Sequence, residues 1–146
     1  FRGNHAAIAG EMNVTPIEQS FELAAERCGD ITPRVYEKLF AKYPEMIPLF
    51  VRDTTGNVRG EMLTRTIEAV LDYIGPNAFA ENFLRCEVVT HDGYGVPPQI
   101  FSKFFDVLVE TLRDILGADW SPAMAREWQA LLADFARFTA APEHIA

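Results

Sequence analysis

His91 is the single histidine away from the ends of this 146-residue chain, since His5 and His144 sit in the terminal stretches. It stands in VVTHDGYGV, residues 88–96, where an apolar, helical-looking segment meets two closely spaced glycines. An imidazole in that place can cap a helix, its cationic form meeting the C-terminal end of the dipole. A neutral imidazole can instead ligate a metal ion. The stretch by itself leaves both readings open. Other chemistry-bearing residues exclude several alternatives. Cys28 and Cys86 have no zinc spacing, and two cysteines do not establish a disulfide. A reduced, cytoplasmic chain is therefore the expectation. There is no Gly-x-Gly-x-x-Gly strand–helix unit for a dinucleotide. No Ser–His–Asp arrangement suggests itself, and the scattered acids read as solvated faces.

The segments that must position His91 are helical. TPIEQSFELAAERC opens with Thr15 as N-cap, Pro16 at the first helical position and Glu18 closing a capping box. TPRVYEKLFAKY carries Tyr36, Leu39, Phe40 and Tyr43 at i, i+3, i+4 and i+7, and Pro44 stops it. PEMIPLF is proline-broken and suits an irregular corner. Residues 56–75, 77–91, 97–117 and 121–138 each show the helical period, closed or opened by Gly75-Pro76, Gly117 and Ser121-Pro122. No alternating strand pattern, Asn-Gly hairpin or repeat is present. The expectation is an all-α domain of six to eight helices over residues 15–140, with 1–14 a leader or expression-derived tail and 141–146 a C-terminal tail.

Composition is that of an ordinary globular chain, 49% hydrophobic and 23% charged. The net charge of −8 argues against nucleic acid and anionic membrane surfaces. No apolar run approaches the roughly 20 residues that span a bilayer. The length fits one domain, a monomer or homodimer.

Tyr36, Phe50 and His91 follow one another at intervals of 14 and 41 residues. In that order and spacing the chain resembles a globin, specifically the bacterial single-domain globins and the haem domain of flavohaemoglobins. VYEKLFAKYPEMIPLF resembles their stretch from distal tyrosine to corner phenylalanine. HDGYGVPPQIFSKFF resembles their proximal histidine, its turn and the next helix. LGADWSPAMAREWQALLADF resembles the join to their last helix. The resemblance runs from about Thr15 to Phe138. It implies a three-over-three helical sandwich around haem b, with His91 as the iron ligand. His91 would donate its other ring N–H to the Glu87 carbonyl one turn back. Phe50, Leu63, Ile67, Phe83 and Leu84, with Val88, Val96, Phe101 and Phe104, would form the apolar walls.

The distal side depends on the register of the helix over residues 56–75. One register sets Arg59 at the gate, keeps Gly60 where two helices cross closely, and turns Leu63 and Ile67 to the haem. The other sets Val58 at the gate and Met62 over the iron. The first is preferred because it uses Gly60. Tyr36 and Arg59 would then contact a diatomic ligand, and the absence of a strong ligand among Tyr36, Arg59, Leu63 and Ile67 leaves the ferrous iron five-coordinate. Arg59 is also readable as a solvated charge or a partner for a haem propionate. The proximal side departs from flavohaemoglobins. Their tyrosine behind the histidine corresponds to Phe101, which leaves Glu143 without a partner and implies weaker electron donation to the iron. Three functions follow from the resemblance: O2, CO and NO binding for transport or for NO detoxification with an external reductase; haem-based gas sensing through a partner; or a haem-free helical interaction domain.

Overall fold

Proline pairs and caps set the helix starts. In the computed structural model, which describes residues 14–140, Thr15 Oγ1 accepts from the Glu18 N–H at 3.0 Å and the Glu18 carboxylate accepts from the Thr15 N–H at 2.9 Å. That reciprocal box opens α1, Pro16–Cys28. Just before α2 (Thr32–Lys42) the Asp30 carboxylate accepts from the Thr32 N–H at 2.9 Å. The proline-broken corner is a 3-10 helix, Pro44–Phe50. There follow α3 (Asn57–Ile74), α4 (Ala80–Gly93), α5 (Pro98–Leu116), a short 3-10 turn (Gly117–Asp119) and α6 (Pro122–Phe138). The described residues contain no strand, and none of their helices is long and apolar enough to cross a membrane.

The apolar faces meet in two layers, α1, α3 and α4 over α2, α5 and α6. Across the layers α1 and α4 each pack on both α5 and α6, and α3 packs on α2. Helix α5 is central because it carries a broad apolar stripe: Phe105, Leu108, Leu112 and Leu116 are all buried. Trp128 of α6 is buried against α1, its indole N–H donating to Ser20 Oγ at 2.9 Å. This satisfies the one polar atom of a large side chain that supplies much of the core's apolar area.

The link from α3 to α4 fixes the helix that carries His91. The Asp72 carboxylate, buried near the end of α3, accepts from the N–H groups of Ala78, Phe79 and Ala80 at 2.8 to 3.0 Å. Burial alone would push its pKa up, but these three donors outweigh that and hold it below the ordinary value. A depressed folded pKa gives stability that is present above the unfolded value, about 3.9, and is lost as pH falls through the folded one. Asp72→Asn is therefore expected to lower stability near neutrality and to flatten its fall in acid, as read by urea unfolding between neutral pH and pH about 3.

Candidate functional site

Helices α3 and α4, the 3-10 corner and the start of α5 enclose an apolar cavity of about 550 Å³. His91 lies in the last turn of α4, two residues before the helix ends, and contributes to the wall. Its Nδ1 is 2.9 Å from the Glu87 carbonyl. A carbonyl can only accept, so Nδ1 carries a proton in this contact; in the neutral imidazole that tautomer leaves the Nε2 lone pair free. The Phe101 ring packs on the imidazole with centroids 4.7 Å apart. After the helix the chain turns sharply, the N–H groups of Tyr94 and Val96 both returning to the His91 carbonyl. Gly95 sits at φ 94°, a left-handed conformation that favours glycine at this turn. The dipole-cap reading of His91 is thus accompanied by a second feature, a ring held in one orientation beside a cavity.

Tyr36 lines the same cavity and is only 2% exposed. Its hydroxyl is buried and has no hydrogen-bond partner. Burial pushes the phenol well above the usual tyrosine range; the nearby Arg59 charge opposes this and the Asp53 charge adds to it. The group is a neutral donor with nothing to donate to, and such a donor is costly unless something fills the space. Aromatic contacts hold it, with Phe50 at 5.5 Å and Phe104 at 5.6 Å between ring centroids.

Among the expected wall residues, Phe50, Phe83, Leu84, Val96, Phe101 and Phe104 line the cavity with Tyr36 and His91. Four of the expected residues do not line it. Arg59, Leu63 and Ile67 are not on this wall; α3 turns Val58, Met62, Arg65 and Thr66 to it instead. A shift of one residue rotates a helix face by about 100°, which carries Leu63 into the core and sets Leu63 and Ile67 against a smaller cavity near the α1–α2 corner. The preference for Arg59 rested on a close helix crossing at Gly60, yet a Cβ added there would meet open space. Val88, 2% exposed, falls on the flank of α4 that enters the core. Glu143 lies outside the described residues, as do His5 and His144.

Arg59 has a different task. Its Nε donates to Asp53 Oδ2 at 3.0 Å and its Nη2 to the Asp53 carbonyl at 2.8 Å. The same carboxylate accepts from the Val58 and Arg59 N–H groups, capping the start of α3. Its pKa, which burial alone would raise, is held low by these donors and by the guanidinium. Arg59→Leu is therefore expected to lower the unfolding temperature, as read by thermal melts beside the parent.

Sequence reasoning missed the polar part of the wall, Arg65, Thr66, Glu87 and Thr90. Arg65 and Thr66 follow from the corrected register at the next turn of α3, whereas Glu87 and Thr90 flank His91 at helical spacing and were legible. The described residues contain no cluster of three or more metal-ligating side chains, so a metal here would draw on one imidazole. A family model described as Globin matches residues 33–138, well over half of the chain. No curated protein and no solved structure matches it significantly.

Proposed function

We propose, from the premise that this chain belongs to the globin family, that it holds haem b in the cavity beside His91 and there binds O2 reversibly, with CO and NO as alternative ligands. One pairing carries the reading: the cavity is lined both by an imidazole whose Nδ1 proton is already bound and by a buried phenol with no partner. The residues suit the group. Haem is a flat apolar macrocycle, and the aromatic and aliphatic wall matches it. When bound, it would supply a ferrous iron able to take a diatomic gas, with His91 as the residue that would hold it.

The chain's own residues do the rest. His91 offers Nε2, in the tautomer fixed by the Glu87 carbonyl, and Phe101 restrains the ring. The Tyr36 hydroxyl donates to the gas. The apolar wall keeps water out, which strengthens that hydrogen bond. Arg65, on the wall with its side chain exposed to solvent, is the cation suited to the haem carboxylates. The same pocket suits the conversion of NO and O2 to nitrate, the required electron coming from an external reductase.

The corrected register sharpens one expectation. A neutral phenol and a protonated guanidinium are poor ligands, but the Met46 and Met62 thioethers also line the cavity. The ligand-free ferrous protein is expected to be five-coordinate, with a single broad visible band. Sharp split bands that vanish in Met62→Leu would instead make that thioether a sixth ligand.

A further inference from the structure

Glu87 is four residues before His91 on α4, so its side chain lies on the same helix face. Its backbone carbonyl is the 2.9 Å partner of Nδ1, and its carboxylate oxygen Oε1 stands 3.7 Å from that same nitrogen. One residue therefore presents two acceptors to one proton. Among the described residues this carboxylate forms no ion pair with any lysine or arginine, so no cation competes for it. It is 34% exposed and the imidazole 22%, so the contact is partly shielded from water. The Phe101 ring that packs on the imidazole offers no acceptor. Glu87 also borders the cavity, where its negative charge would repel the carboxylates of haem; anchoring those groups is not a role it can fill.

Resting on the haem reading above, we propose that the Glu87 carboxylate shares the Nδ1 proton of His91 once the imidazole is bound to iron, and that it sets the electron-donor strength of that ligand. Coordination draws electron density from the ring and makes Nδ1–H more acidic. A carboxylate accepts such a proton better than an amide carbonyl does, and charge-assisted bonds are the stronger class. The 3.7 Å separation closes to hydrogen-bond length by rotation about the glutamate side-chain bonds, with no movement of α4. Density returned to the ring raises ligand basicity, strengthens the bond to iron and favours the ferric state. The electron donation that Phe101 cannot supply thus comes from the helix that carries the ligand. Glu87 is a positioning residue, acting through His91.

The test compares haem-loaded parent protein with Glu87→Gln and with Glu81→Gln, an exposed α4 glutamate paired to Arg85. Glutamine preserves volume and the backbone carbonyl while removing the charge. In Glu87→Gln the iron–histidine stretching frequency of the ferrous protein should fall, the midpoint potential should rise, and haem release should quicken about tenfold or more. Glu81→Gln, which removes a charge without touching His91, should leave the stretching frequency at the parent value. A parent-like stretching frequency and potential in Glu87→Gln overturn the inference and leave the haem reading standing. Failure of the parent to form a Soret band with haem overturns both.

Discussion

Replacing His91 by alanine is expected to abolish stable haem retention. No other histidine among the described residues can substitute, and none of the wall residues supplies a neutral nitrogen donor. Loss of a group that merely orients a ligand weakens metal binding about 10- to 100-fold, so loss of the ligand itself should exceed that. The fold should survive, because His91 sits in the last turn of α4, is part-exposed, and makes its polar contacts only within its own helix, one turn back. Helical content by circular dichroism is the control. His91→Gly with added imidazole should restore the spectrum, since a free imidazole can enter the space vacated by the ring. Normal haem retention in the alanine variant, with an unchanged ferrous spectrum, would remove His91 from the iron.

Tyr36→Phe should speed O2 release by about ten- to hundredfold and change CO release little. O2 in the pocket gathers negative charge on its outer atom, whereas CO stays nearly neutral. A hydrogen bond from a buried phenol to a charged acceptor contributes roughly 1.5–3 kcal/mol, which is that range of rate. The effect should sit in dissociation, because the bond forms only after the gas arrives. The same substitution makes a second, opposite test. No protein group partners the buried hydroxyl, and an unsatisfied buried donor costs stability. Tyr36→Phe should therefore leave the haem-free fold at least as stable as the parent while the loaded protein loses its grip on O2. Stopped-flow O2 and CO dissociation, with urea unfolding of the haem-free forms, reads both. Equal O2 rates in parent and variant would take Tyr36 out of the site.

The helices and the contact between His91 and the Glu87 carbonyl were legible in the sequence for local reasons. Capping pairs, proline stops and a period of 3.6 are short-range signals, and Thr15, Glu18 and Ser121 do in the structure what their types suggest. The Glu87 carbonyl as the partner of His91 followed from helix geometry alone, four residues back. Which stripe of α3 faces the cavity was not legible, because the register of α3 is set by a long-range choice. Asp53, outside the helix, caps it and clasps Arg59, and this fixes which stripe faces the cavity. Both candidate stripes of α3 are apolar enough for a core or a wall. Periodicity gives the spacing within a stripe but not the rotation of the helix. Gly60 suggested a close crossing that does not occur. Val88 failed for a related reason: it is one position from the wall residue Glu87 and faces the core.

The most direct measurement is a titration of the purified chain with haemin, followed by spectra of the ferric, reduced and CO-bound forms beside His91→Ala. The expected result is a Soret band that saturates at one haem per chain in the parent, a broad ferrous spectrum that sharpens with CO, and weak unsaturated binding in the variant. No Soret band in the parent, or titrations that coincide for parent and variant, would contradict a haem held by His91.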